Sequence, residues 1–265
     1  MSGSETKTEV LMIADAEMEG LPAGRGKSAT NKNACTIFDQ YVQPCLVELL
    51  GTTLFVFVGC ASVIGNVGAG AIQPAVAHGL ALGVLIMVFG PISGGHFNPV
   101  VSLSIYLCGG MELPLLVPYV LAQMFGGMTG AGLAKTMYPS TLYTATLGGA
   151  FNAAAVTGDL GKATLAEVMM TLLLTMVVCM GAVNSRTRSE WAPLCIGLTV
   201  TANIFAGGVV SGACMNPARA FGPAVAANHW NLHWIYWVGP TCGALLTVSL
   251  IRLLFGDQKT RVVLK

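Results

Sequence analysis

Charge is what this chain has least of. Of its 265 residues 13 are Lys or Arg and 12 are Asp or Glu, 9% together, where ordinary soluble domains carry about 25%. With 54% hydrophobic residues and a mean hydropathy of +0.70, that scarcity excludes a water-soluble domain and leaves a polytopic membrane protein. No basic run occurs, so nucleic acid is excluded as a partner, and the net charge of +1 points to none. The eight cysteines include no Cys-x-x-Cys or Cys-x-x-His spacing, which supports neither a metal centre nor a disulfide framework. No Asn-x-Ser/Thr sequon is present, so N-glycosylation is not expected. The start of the chain has neither the basic n-region nor the apolar h-region of a signal peptide, and it is too acidic for a transit peptide. Its polar composition predicts a disordered tail over residues 1–40.

What is present in abundance is long apolar runs. Six spans are predicted, at about 44–64, 72–89, 113–134, 163–183, 192–209 and 234–255. The first and fourth each carry one early acid, Glu48 and Glu167, and the second contains His78. Gly126, Gly127 and Gly130 in the third let helices approach closely. Trp230, Trp234 and Trp237 form an interfacial belt before the sixth. A channel domain is placed at 41–255, with halves at about 41–134 and 162–255, and a polar, basic tail follows at 256–265.

The halves are one internal repeat. Glu48 and Glu167 are 119 positions apart, and Gly79-Leu80 returns as Gly197-Leu198 after 118. At that same offset lie Gly94-Gly95-His96-Phe97-Asn98-Pro99-Val100 and Gly212-Ala213-Cys214-Met215-Asn216-Pro217-Ala218, the second followed by Arg219. Asn is a good N-cap and Pro suits the first helical position, so each Asn-Pro starts a helix. Each helix is short: at about 1.5 Å per residue it reaches about 15 Å, roughly half the hydrocarbon layer. Three spans per half invert the second half, so the two re-entrant half-helices meet N-terminus to N-terminus near the midplane. The fold class expected is an all-α membrane protein of six transmembrane helices plus two re-entrant half-helices in an inverted repeat.

Ten Lys and Arg fall on the side of the termini and of the loop between spans four and five, while Lys135 and Lys162 alone fall opposite. This places both termini in the cytoplasm, or in the matrix of an organelle.

At the meeting point two helix N-termini present partial positive charge, and the amides of Asn98 and Asn216 can donate hydrogen bonds. Water can offer its oxygen to both amides, while cations, hydronium included, meet a barrier. No nucleophile, base or cofactor is needed, and an enzyme is excluded. Arg219 inside the bilayer costs at least ~2.5–3.5 kcal/mol, which marks it as functional; lining a pore is favoured over pairing with Glu48 or Glu167. Those two glutamates are expected to prop the backbone N–H groups of the re-entrant loops. A secondary transporter is the alternative, since it too uses inverted repeats and broken helices.

These motifs resemble the aquaporin (major intrinsic protein) family over about 43–255. The resemblance implies a homotetramer in the lipid bilayer, with one pore per subunit, and a selectivity filter at His78, Ile204, Ala213 and Arg219. The stretches Tyr41–Glu48 and Gly212–Pro223 are similar to a branch of the family that passes ammonia and hydrogen peroxide with water. Ala220 stands where glycerol channels carry Asp, and Val100 where the family usually has Ala. Ala213 is small and Ile204 is not a ring, so the filter is expected to be wide, with His78 accepting from or donating to an ammonia molecule as it sheds its water. A mercurial on Cys214, in the pore loop, is expected to block conduction. The plasma membrane is the expected location, with the inner mitochondrial membrane as the alternative.

Overall fold

The computed structural model describes residues 36–152, 159–257 and 261. The expected N-terminal tail as far as residue 35, and most of the C-terminal tail, lie outside the described residues. Regular structure among the described residues is helical: α1 Gln43–Ile64, α2 Ile72–Ser93, α3 Pro99–Leu107, α4 Leu113–Met137, α5 Ser140–Ala145, α6 Leu160–Val178, α7 Ala192–Ser211, α8 Pro217–Ala227 and α9 Ile235–Leu250. Six of these helices, α1, α2, α4, α6, α7 and α9, the last prolonged to Phe255 by a π-turn over Ile251–Phe255, are long and apolar enough to cross a membrane. The chain is a multi-pass membrane protein of the expected class.

Several boundaries differ from the sequence reading, for local reasons. Residues 36–42, placed in the tail as far as residue 40, are helical, with a π-turn over Phe38–Val42. The ring of Pro44 would meet the carbonyl four residues back, and a wider turn just before the helix relieves that clash. α2 continues through Pro91 and stops at Gly94, whose φ of 87° suits glycine. α6 starts earlier than expected because Asp159 caps it, its carboxylate accepting from the backbone of Gly161 and Lys162 at 3.0 and 3.1 Å. A second π-turn, Cys179–Val183, carries α6 to the expected end. The long connection after α4 holds α5 and a 3-10 turn, Leu147–Gly149.

Packing repeats between the halves. α1 lies against α4 as α6 lies against α9, α2 crosses α7, and each half-helix packs on the last span of the other half, α3 on α9 and α8 on α4. Glycines permit these contacts. A Cβ on Gly130 would fall 2.3 Å from the carbonyl oxygen of Thr53, and one on Gly243 would fall 2.4 Å from that of Val168. Where α2 meets α7, a Cβ on Gly79 would sit 2.5 Å from the Gly197 oxygen, and one on Gly197 would sit 2.4 Å from the Gly79 oxygen. Such separations are shorter than van der Waals contact, so the backbones themselves form the interface. In a membrane, where no hydrophobic force draws helices together, close backbone approach of this kind supplies much of the association.

Candidate functional site

The half-helices α3 and α8 have 9 and 11 residues, about 14 and 16 Å, so neither crosses a membrane. Each starts at its asparagine in extended backbone with Pro in the first turn. Asn98 Oδ1 accepts from the Val100 N–H at 3.1 Å, and Asn216 Oδ1 accepts from Ala218 and Arg219 at 3.0 and 3.2 Å. The amide nitrogens reach across to the opposite loop: Asn98 Nδ2 donates to the Met215 carbonyl and Asn216 Nδ2 to the Phe97 carbonyl, both at 2.9 Å. The two N-termini are therefore joined directly. An amide nitrogen carries two hydrogens, so each asparagine keeps a second donor.

The loops leading into these caps are held by the two buried glutamates. Glu48 accepts from the backbone N–H groups of His96 and Phe97 at 2.9 and 2.7 Å, from Ser93 Oγ at 2.7 Å and from Gln123 Nε2 at 2.8 Å. Glu167 accepts from the N–H groups of Cys214 and Met215 at 2.8 and 2.7 Å, and from Ser211 Oγ at 2.6 Å. Neither forms an ion pair with Arg219. A buried carboxylate is costly unless its oxygens are fully engaged, and here two inward-turned amides and a hydroxyl engage each one. The loops need such fixing because their backbones are strained. Phe97, Ala213 and Met215 have φ of 47°, 55° and 55°, a region that costs a non-glycine residue about 1 kcal/mol or more.

A cavity of about 1120 Å³ is lined by these groups, by Arg188, Ser189 and Glu190 from the loop after α6, and by Thr146, Phe151 and Asn152 from the connection after α4. Asn98 and Asn216 line it, as do His78, Ile204, Ala213 and Arg219, and the loop residues Gly94, Gly95, His96, Gly212, Cys214 and Met215. Phe97, Val100, Pro99, Pro217 and Ala218 are buried and not among the lining residues. Phe97 packs its ring against Gly51 and Phe89. Cys214 is 5% exposed and packs with Ala163, Ala220, Ile235 and Tyr236, its thiol donating to the Asn216 carbonyl at 3.1 Å.

Arg219, 2% exposed, is held from three directions. Its Nε donates to His78 Nε2 at 3.1 Å, a second guanidinium nitrogen donates to the Gly149 carbonyl at 3.0 Å, and its plane lies 4.7 Å from the ring centre of Phe151. Guanidinium can only donate, so His78 Nε2 must be the acceptor. The ring is then neutral, with its proton on Nδ1 facing the Pro74 carbonyl at 2.7 Å. The expected hydrogen bond from His78 to a passing ammonia therefore meets a ring that already has partners. Both its nitrogens are engaged, and the donors left over belong to Arg219, which has five N–H groups.

Gly149 and Phe151 escaped sequence reasoning because they lie in the long connection without a motif. Ser93 and Ser211 open the two repeated stretches but carry no role in the sequence reading, and Tyr119 with Tyr236 escaped it, although their spacing of 117 is within one residue of the repeat offset. The two tyrosine hydroxyls donate to the carbonyls of Ser93 and Ser211 at 2.8 and 2.6 Å, completing equivalent loop supports.

Two half-helices capped tip to tip over a lined cavity define a membrane channel. Residues 38–251 match the family described as Major intrinsic protein. The chain is 48% identical to Aquaporin-8 of Mus musculus over 268 residues, covering 100% of this chain and 99% of that one, and 48% identical to Aquaporin-8 of Rattus norvegicus with the same coverage. Aquaporin-5 of Mus musculus is 35% identical over 83% of this chain and 82% of its own. The aquaglyceroporin of Plasmodium falciparum shares the fold, with a TM-score of 0.68 at 21% identity over 79% of this chain and 95% of that one. The chain belongs to the major intrinsic protein (aquaporin) family: it is a passive membrane channel for water and small solutes, not an enzyme.

Proposed function

We propose that this channel passes water together with ammonia and hydrogen peroxide while excluding protons and ions. The observation that carries this reading is the crossed pair of asparagines, each capping a half-helix that points its N-terminus at the cavity. A passing water gives its oxygen to the remaining amide donors and turns its hydrogens outward, which breaks the hydrogen-bonded file along which a proton would hop. The two helix N-termini, with roughly half an elementary charge each, add a barrier to cations. Arg219 raises the same barrier at the outer end, where His78, Ile204 and Ala213 complete the filter. Ala213 and Ile204 supply width and an apolar wall, and the N–H groups of Arg219 replace water's lost partners. Neutral solutes of about the size of water fit that chemistry.

The carboxylates speak against coupled transport. A transporter needs acids or unwound carbonyls to bind its coupling ion, and the acids in the spans, Glu48 and Glu167, are both committed to loop N–H groups. Assembly as a homotetramer, with termini in the cytoplasm and residence in the plasma membrane rather than the inner mitochondrial membrane, completes the proposal.

Stopped-flow light scattering on proteoliposomes, comparing water, ammonia, hydrogen peroxide and glycerol with empty vesicles, tests it. Fast water, ammonia and peroxide flux with little glycerol, rising linearly with the gradient, is expected. Fast water alone would refute the wide filter, and saturable flux that responds to an ion gradient would favour a transporter.

A further inference from the structure

A second cavity, of about 590 Å³, lies beside the first, walled by the turn that leads into α1, the turn that joins α3 to α4, and the start of α4. Gly94 and His96 line both cavities. Gln40, Tyr41 and Glu112 are its exposed wall, and His96 and Tyr119 its buried one. Conduction uses none of this space. We propose that the side cavity binds a small aromatic amine, and that an occupant slows conduction through the wall shared with the pore.

The repeat argues for a ring. Gly94, His96, Leu115 and Tyr119 line the side cavity, and their counterparts at offsets of 118 or 117 are Gly212, Cys214, Leu232 and Tyr236. In the second half the equivalent place is filled. Phe151 and Leu232 pack on the cluster that holds Cys214 and Tyr236. The Phe151 ring centre lies 4.8 Å from that of Tyr236, and a Cβ on Gly212 would fall 2.7 Å from its edge. In the first half the atoms nearest a Cβ on Gly94 belong to His96 instead, and the space beside Tyr119 is a cavity. Phe151 comes from the segment that precedes its half. The same offsets on the segment before the first half fall at Lys32 and Asn33, and residues 1–35 contain no Phe, Tyr, Trp or His. That segment has no ring to offer, so a place shaped for one is left to a ligand, at a volume within the range of small-molecule sites.

Glu112 argues for the amine. It stands at the N-cap of α4 without making a capping bond, and among the described residues no Lys or Arg lies within ion-pair distance of it. A carboxylate on the exposed wall of a cavity that also includes Tyr41 and Tyr119 fits an ammonium group, which it attracts by charge while the aromatic faces attract the same cation. Gln40 adds an acceptor. The shared wall carries the consequence. His96 is tied on one side to Ser102, its Nδ1 3.0 Å from that hydroxyl, and its ring meets Tyr119 edge-on with centres 5.3 Å apart. A ligand ring lodged beside Tyr119 leaves His96 and Gly94 no room to yield away from the pore, so the path for water narrows there.

The test titrates purified full-length protein in detergent calorimetrically with phenethylamine, against protein-free micelles. Saturable binding is expected, weaker at high salt, with phenethyl alcohol and propylamine, which each lack one half of the ligand, binding far less. Glu112→Gln should weaken binding several-fold, as loss of a partly exposed charge does. Met111→Phe, which puts a ring of the chain's own into the cavity, should abolish it, with the thermal midpoint showing that each variant is folded. No saturable binding, or either control binding as tightly as phenethylamine, overturns the ligand class. Unchanged binding in the folded variants overturns the site. In proteoliposomes with phenethylamine on both sides, water flux should fall in the wild type and hold in Met111→Phe, each relative to its own ligand-free rate. Full wild-type flux at saturating phenethylamine overturns the effect on conduction.

Discussion

Replacing Glu167 by glutamine tests the loop supports directly, because the geometry leaves the amide no good orientation. Glu167 Oε1 takes the Ser211 hydroxyl and the Cys214 N–H, and Oε2 takes the Met215 N–H. A glutamine nitrogen at the first position lets Ser211 reverse its hydroxyl but faces the Cys214 N–H donor to donor. At the second position it faces the Met215 N–H. Either way one buried backbone N–H is orphaned, at about 1–3 kcal/mol, and the remaining bonds lose their charge assistance, about 1 kcal/mol each. Removing a buried charge offsets part of this loss, leaving a net destabilisation of about 2–4 kcal/mol. The damage falls on the strained segment whose Met215 carbonyl accepts from Asn98. Thermal unfolding in detergent followed by tryptophan fluorescence, with water flux per reconstituted protein, should therefore show a clearly lower midpoint together with lower flux. A Glu167→Gln protein with wild-type midpoint and wild-type flux would refute the claim that the carboxylate holds the loop.

Two further outcomes follow from the contacts. His78→Phe removes the acceptor of Arg219 Nε, a charge-assisted bond worth about 1.5–3 kcal/mol, and puts a larger ring where His78 already crowds Gly59. Ammonia flux should fall more than water flux in proteoliposomes, and equal losses of both would sink the assignment. Gly79→Ala places a methyl 1.9 Å from Thr201 Oγ1 and 2.5 Å from the Gly197 oxygen; overpacking a backbone contact costs about 1–3 kcal/mol, so size-exclusion chromatography should show less folded protein, and an unchanged yield and midpoint would contradict the close crossing of α2 and α7.

How much was legible in the sequence divides along the repeat. Six spans, two capped half-helices and the pairing of Glu48 with Glu167 could be read because each depends on local chemistry written twice: an apolar run of bilayer length, an Asn-Pro start, an acid at a constant offset. The holding of Arg219 could not be read. It depends on one carbonyl and one ring from a connection with no periodicity, Gly149 and Phe151, brought to the site by tertiary folding. For the same reason the partners of His78 are not legible in the sequence. The family resemblance sets it beside Arg219 in the filter, but only the 3.1 Å contact reveals that the guanidinium occupies its Nε2.

The repeat also bears on where the proposed selectivity resides. Moving each of His78, Ile204, Ala213 and Arg219 by the 118-residue offset gives Ile196, Ile86, Gly95 and Val101, and all four of these line the cavity as well. The repeat therefore puts two equivalent stations of four residues along the cavity, each drawn from both halves, and only one of them carries polar side chains. A solute passing Ile86, Gly95, Val101 and Ile196 loses water neighbours and gains no side-chain hydrogen bond in return. At the other station the N–H groups of Arg219 can compensate the loss. Discrimination by hydrogen bonding can act only where compensation differs between solutes, so it belongs to the Arg219 end, while the apolar station opposes any charged species through desolvation alone. On the proposed reading, divergence at these few positions of an otherwise repeated frame gives the pore its selective end.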